Sequence, residues 1–461
     1  MRGAHRIVDP VNGCFSRRAV LRLGGLVAAA APWGFSRSSF AAPSPAAGRA
    51  KSCILVYLLG GPPHQDMFDL KPDAPAEVRG PFSPIATNVP GLSICEHLPL
   101  LSRMADKYAL VRSVTHPNNN HTPMIYYTLT GRHVANPGVD NDISPPRNTD
   151  FPHLGGILAR LKPVPTGLPG FVALPQCATR SNEENIRPVV PLRGGRGGFL
   201  GTAYDPLMIN GDPRSPDAAP ELALPEGVNA ERFARRRELL DAVETRARGG
   251  VADRHYDLLR GAAVHMTGVA AGDGLYSLAS EPPALRERYG DTRFGQSLLL
   301  ARRLAEAGVP MIAIHFNEMT RCDGWDTHAN NFKACQEELL PLVDQGLSAL
   351  LTDLEERGTL DEVAVLCLGE FGRTPRINKD AGRDHWGYCS SAFLAGGGIR
   401  GGQVLGASDK LAAYPVERPV DPVDLHATVY RCLGLGPEEL IFDPLGRPHV
   451  IGNGKVVEEL L

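Results

Sequence analysis

The chain has 461 residues, a formal net charge of −3, 43% hydrophobic residues and 21% charged ones. These are globular proportions and exclude a wholly disordered or fibrous chain. No basic stripe interleaved with aromatic residues runs along it, so a nucleic-acid partner is not expected. The 50 glycines and 40 prolines make up about a fifth of the chain. That content points to much loop, and loops around a compact core often carry function.

The first element is an address rather than part of a fold. Ser16-Arg17-Arg18-Ala19-Val20-Leu21-Arg22 precedes an uncharged run from Leu23 to Phe35, and small residues follow at Ser39, Ala41 and Ala42. A basic start, a short apolar stretch and a small-residue end make an export signal. The paired arginines resemble a twin-arginine signal. Residues 1–42 are therefore expected to be a leader read by the twin-arginine export machinery, and the protein to be exported, periplasmic or extracytoplasmic. The alternative is an uncleaved N-terminal anchor, but the run is shorter than the ~20 apolar residues a membrane span needs. No later segment is long and apolar enough, so no stable membrane span is expected in the mature chain. Of nine cysteines none is spaced C-x-x-C, which leaves a zinc ribbon or thioredoxin motif unsupported. Cys53 and Cys367 sit in apolar runs and are read as buried thiols.

Six short apolar runs read as buried parallel strands: 53–59, 109–114, 170–174, 310–316, 363–368 and 391–395. Amphipathic stretches lie at 98–107, at 336–357 with leucines at helical spacing, and at 424–433. Alternating strand and helix predicts an α/β fold, a mostly parallel central sheet with helices on both faces in three layers. Residues 180–226 are dense in Gly, Pro, Asn and Asp, too long for an ordinary connection, and are read as a Gly/Pro-rich insertion folding over the site. Ala230 to Gly249 reads as a charged, solvated helix.

Ligands in open α/β sheets bind beyond the carboxyl ends of the strands. Four polar clusters follow predicted strands there. They are Gly60-Gly61 through His64, Asp66 and Asp69; His116 through His121-Thr122-Pro123; Trp325-Asp326-Thr327-His328; and Gly369-Glu370-Phe371-Gly372-Arg373, leading to Arg383-Asp384-His385. Carboxylates and imidazoles gathering from separate strand ends are what a divalent cation requires. Each piece also has a plain structural alternative. Asp326 and His328 can form a loop hydrogen-bonding pair, Glu370 can pair with Arg373, and Asp384 can orient His385. Asp69 is read as capping a turn, His116 as structural and His315 as a core histidine.

These segments resemble the alkaline phosphatase/sulfatase superfamily, and most closely its exported branch designated domain of unknown function 1501. The resemblance runs from about Lys51 to the C-terminus, over Leu58-Leu59-Gly60-Gly61-Pro62, Asp69-Leu70-Lys71-Pro72, Trp325-Asp326-Thr327-His328, Gly369 to Pro375 and Gly382 to Trp386. It implies an alkaline phosphatase-like domain over residues 51–461. Sulfatases carry C-x-P-x-R followed by T-G-R; here Pro123 and Thr130-Gly131-Arg132 match, His121 stands where the cysteine would be, and Ile125 where the arginine would be. The resemblance implies metal ligands at Asp66, Asp326, His328, Glu370 and His385, with Phe371 in place of a histidine, which fits one metal or two with altered ligands. The metal would be zinc, calcium or manganese. Thr122 or water would attack, His121 would act as general acid or base, and Arg373 or Arg383 would neutralise oxyanion charge. The implied function is an exported metal-dependent hydrolase of phosphate or sulfate esters acting on an anionic substrate. The alternative is a non-catalytic sulfatase-like protein binding an anionic polysaccharide or an exported partner.

Overall fold

The computed structural model describes residues 48–134, 145–175, 178–179, 190–215, 227–247, 274–316 and 324–461, with single residues 219, 222, 224 and 263. The leader expected over 1–42, Cys14, Cys177, Cys322 and much of the insertion at 180–226 lie outside them.

Eight strands form the central sheet: β1 Ser52–Leu58, β2 Tyr108–Val114, β3 Phe171–Leu174, β4 Leu207–Met208, β5 Met311–Phe316, β6 Val363–Leu368, β7 Ser390–Ala395 and β8 Gln403–Leu405. Their spatial order is β8-β2-β7-β6-β1-β5-β3-β4. β1 is flanked in parallel by β6 and β5, with Ile54 opposite Val365 and Ile312.

All six predicted strands are present, and one direction differs from expectation. β7 runs antiparallel to both neighbours, β6 and β2. No helix separates β6 from β7, only a two-stranded ribbon pairing Gly372–Arg373 with His385–Trp386. A parallel return needs a long crossover, so the chain comes straight back. The sequence hides this because β7 is buried along its whole length, as a parallel strand would be.

The sheet buries both faces, and the alternation of β1 shows how. Ile54, Val56 and Leu58 join one apolar core with Leu298 and Leu304 of helix Arg293–Ala307 and Val343, Leu347 and Leu350 of helix Leu340–Glu356. Cys53, Leu55 and Tyr57 join the other, with Ile125 and Leu129 of α1 (His121–Thr130), Ile157 and Leu158 of α2 (Leu154–Leu161), and Leu425 and Val429 of helix Pro422–Cys432. This is the three-layer α/β arrangement, and a strand with two buried faces has to be apolar at every position.

Two helices differ from their sequence pattern. The stretch 336–357 opens as a π-turn at Cys335–Leu339 before the α-helix begins at Leu340. Pro341 has no N–H to bond back four residues, which favours the wider turn. The stretch 98–107 yields only the short helix Pro99–Ser102 and a 3-10 turn at Ala105–Lys107. Its first turn is held from another helix, where the Asp344 carboxylate accepts from Leu100 N and Leu101 N at 2.9 and 2.8 Å. The described part of the Gly/Pro-rich stretch packs at the sheet edge, where β4 pairs with β3 and Arg193 is buried against Asp150. Among the described residues no helix is long and apolar enough to cross a membrane.

Three histidines are locked in the layers. His426 Nε2 donates to Thr128 O at 2.7 Å and His315 Nδ1 to Pro175 O at 2.8 Å. Burial pushes His315 and His426 down to about 4, and holds His153 well below its ordinary value. The unfolded chain binds protons at these sites near pH 6.5 and the fold does not. Stability therefore rises with pH between about 4 and 6.5 and is lost on acidification through that window. A melting-temperature series is expected to fall from pH 6.5 to 4. A His426→Asn variant, which keeps a donor for Thr128 O, is expected to show a shallower fall.

Candidate metal centre

Because β5, β1 and β6 are parallel neighbours, their carboxyl ends share one rim. β2 points the same way, being antiparallel to β7, which is antiparallel to β6. The rim therefore receives the start of α1 after β2, Asp326 after β5, Glu370 after β6 and His385 just before β7. Two glycines permit the close approach of these segments. A Cβ on Gly60 (φ +116°) would sit 2.4 Å from Asp326 N, and one on Gly382 would sit 1.9 Å from His328 O.

Three imidazoles converge on the Asp326 carboxylate. His328 Nε2 and His385 Nε2 lie 3.2 and 3.0 Å from its Oδ1, and His121 Nε2 lies 3.2 Å from its Oδ2. The donor atoms of His121, Asp326 and His385 all lie within 4.8 Å of one another. The other nitrogen of each ring is held by an acceptor. His385 Nδ1 donates to Asn119 O at 2.8 Å, His328 Nδ1 to Asp384 Oδ1 at 2.7 Å, and His121 Nδ1 to Glu370 Oε1 at 2.6 Å.

These bonds fix the tautomers. A carbonyl only accepts, so His385 carries its proton on Nδ1 and turns the Nε2 lone pair inward. His328 is arranged the same way by Asp384. The two Nε2 atoms are 2.9 Å apart, two lone pairs facing each other beside a carboxylate oxygen. That is unfavourable unless a cation or an extra proton sits among them. A tetrahedral zinc with bonds of ~2.0–2.1 Å spaces its ligands by about 3.3 Å, close to the observed 2.9–3.2 Å. Metal-bound histidines characteristically donate their other N–H to a carboxylate or carbonyl, and all three rings here do so.

The protein alone meets the crowding with protons. Burial raises the Asp326 carboxyl, but its contacts with the His121, His328 and His385 rings and the Arg373 charge outweigh it and hold it far below the carboxylate range. Burial lowers His121, but its bonds to Asp326 and Glu370 push it up to about 9. His328 is raised chiefly by its bond to Asp326; His385 is lowered by burial, with the His121 and Arg373 charges adding to that. Glu370 is fully buried, its Oε1 accepts Gly60 N at 2.9 Å, and its Oε2 has no hydrogen-bond partner among the described residues. Phe371 packs its ring against His121 and His385 at centroid distances of 5.0 and 4.6 Å. His328 is the most exposed of the four, its side chain 46% accessible against 31% for His121 and 22% for Asp326 and His385.

Of the residues singled out in the sequence, the structure brings together Asp326, His328, His385, His121 and, behind His121, Glu370. Asp66 stands apart: it is fully buried and paired with Arg383 Nε and Nη2 at 2.7 and 2.8 Å. Arg373 is also fully buried. It donates to Gly61 O, Arg383 O, Trp325 O and Gly60 O as well as to Asp326. Both guanidinium groups are thus committed within the fold rather than presented to a ligand. Thr122 is buried one residue on from His121, about 100° round the helix axis, with no hydrogen bond to the cluster among the described residues. Asp69 pairs with Lys71 and accepts from Ser408. His116 donates Nε2 to Glu370 O at 2.8 Å. Sequence reasoning did not find the Asn119 carbonyl, because a backbone acceptor leaves no signal in residue type.

The family described as Protein of unknown function (DUF1501) matches residues 50–461. A comparison with curated proteins finds no match. Among solved structures, the chain is similar to Ps i-CgsB, at 11% identity and TM-score 0.38 over 83% of this chain and 72% of that one. It is similar to the PsFucS1 sulfatase from Pseudoalteromonas sp., at 11% and 0.37 over 84% and 68%. It is similar too to the phosphonate monoester hydrolase of Silicibacter pomeroyi, at 14% and 0.33 over 89% and 76%.

In metal-free protein, His121 is expected to titrate near 9, and Glu370→Gln to lower that value by removing one of its two carboxylates. Imidazole NMR during a pH titration checks both; an unchanged value in the variant contradicts the bridging geometry. The His121 value lies above the ordinary 6.5, so its contribution to stability is full below 6.5 and fades as pH rises through 9.

Proposed function

The chain belongs to the DUF1501 family, and on that premise we propose that it is an exported, metal-dependent hydrolase of phosphate or sulfate esters. One observation carries this reading: three imidazole Nε2 atoms surround the two oxygens of Asp326, each ring pinned from behind by Glu370, Asp384 or Asn119 O. Asp326, His328, His385 and His121 would hold the ion. Imidazole-rich donors suit zinc better than calcium. A divalent ion there supplies Lewis acidity, polarising a phosphoryl or sulfuryl oxygen and lowering the pKa of water. The protein's own part is to fix the ring planes, to keep Asp326 ionised and to leave the His328 side open to the ester. Glu370 orients His121, and Phe371 walls the centre off from beneath.

The purified protein is expected to contain or take up zinc or manganese and to turn over aryl phosphate or aryl sulfate. Chelation should abolish turnover and metal should restore it. Asp326→Ala and His385→Ala are expected to cost more than the roughly 10- to 100-fold that changes to ligand-orienting residues cost. No metal uptake and no turnover after loading would overturn the reading.

A second reading has its own observation. No hydroxyl side chain is hydrogen-bonded to the cluster among the described residues, and Thr122 and both arginines are buried. A metal-loaded protein that binds anionic polysaccharide without hydrolysing any ester would establish the non-catalytic alternative.

The export part rests on the paired arginines. Replacing Arg17 and Arg18 by lysine is expected to leave the protein in the cytoplasmic fraction, read by cell fractionation; unchanged export would contradict a twin-arginine route.

A further inference from the structure

Asp66 lies on a 3-10 turn, His64–Asp66, that follows the exit of β1. Its carboxylate is wholly buried and makes three bonds, two to Arg383 and one from Asn331 Nδ2 at 2.8 Å. Asn331 in turn accepts from Thr327 Oγ1 at 2.6 Å. Arg383 N donates to Thr327 O at 3.0 Å, and the Arg383 guanidinium also donates to Val78 O, Thr374 O and Pro375 O. Arg383 O accepts from Arg373 Nη1 at 3.0 Å, and Arg373 itself holds Asp326. Asp66, Thr327, Asn331 and Arg383 are all buried.

The sequence positions of these residues give the network its meaning. Thr327 sits between Asp326 and His328. Arg383 immediately precedes Asp384 and His385. The Asp66–Arg383 pair, with Asn331, therefore ties the segment carrying Asp326 and His328 to the segment carrying Asp384 and His385, through bonds whose directions are fixed at both ends. A bidentate guanidinium–carboxylate pair is directional. A buried ion pair is a poor source of net stability, because desolvation offsets the attraction, and apolar residues of similar size often hold a fold as well. What apolar residues do not supply is orientation, and a metal centre needs its donors within about 0.5 Å of the productive geometry.

We propose that Asp66 and Arg383, with Asn331, are positioning residues for the metal centre, setting the distance and ring planes between Asp326–His328 and Asp384–His385. The proposal rests on the reading that this centre binds a metal. It gives Asp66 a role one step behind the ion.

The test is cobalt(II) titration of the purified protein, followed by its visible absorption spectrum and by competition with a chelator. Two variants are compared with the parent: Asp66→Leu combined with Arg383→Met, which removes the pair without leaving a lone charge, and Asn331→Ala, which cuts the link to Thr327. The double variant is expected to melt below the parent, because Val78 O, Thr374 O and Pro375 O lose their donor, and Asn331→Ala to melt closer to it; both, where folded, are expected to lose about 10- to 100-fold in cobalt affinity and to show a shifted, weakened absorption band. If the parent binds cobalt and the folded variants match it in affinity and spectrum, the pair serves the fold alone and the proposal is overturned. If the double variant does not fold, Asn331→Ala decides by the same criteria. If the parent binds no cobalt, the metal reading itself falls, and the proposal with it.

Discussion

The Asp326 carboxylate is the point on which this structure turns. Three imidazoles and one guanidinium compete for two oxygens. Such a concentration of donors around one anion is stable only while protons or a metal ion keep the nitrogen lone pairs apart. The surroundings are built to keep that tension in place. Backbone carbonyls of Gly60, Gly61 and Trp325 fix Arg373, Asn119 O fixes His385, and buried Glu370 fixes His121.

The sheet makes the gathering possible. Parallel strands deliver their carboxyl ends to one rim, and the antiparallel β7 delivers its amino end to that same rim. The one reversed strand thus adds to the site the ribbon that carries Arg373 and His385. Close packing of the segments then depends on the absence of a side chain at Gly60 and Gly382, where backbone of the Asp326–His328 segment lies within contact of any Cβ.

Much of this was legible in the residues. The six apolar runs stand as strands, and the polar clusters after β2, β5 and β6 do supply the imidazoles and carboxylates of one site. Periodicity carries no information about strand direction, so β7 was misread. Residue type also fails to separate a carboxylate ringed by imidazoles from one closed off by a bidentate guanidinium. Asp66 and Asp326 look alike in sequence, each beside an imidazole and after an apolar run, and only the fold shows that Asp66 meets Arg383. His121 illustrates the same limit: its ring is spent between Asp326 and Glu370, a bridging position that depends on which way the first turn of α1 faces. The pairing of Arg373 with backbone carbonyls was invisible because carbonyls are present at every position.

The donors of this centre come from widely separated parts of the chain, from His121 to His385, and are joined through contacts of very long sequence separation. Such contacts are the last to be rewarded as a chain orders, since the entropy of closing large loops comes first. A fragment that ends before His385 lacks one of the three imidazoles that face Asp326. An ion held by the full donor set would therefore mark a finished rim, because the ribbon carrying His385 has to be in place beside β7 before the set is complete.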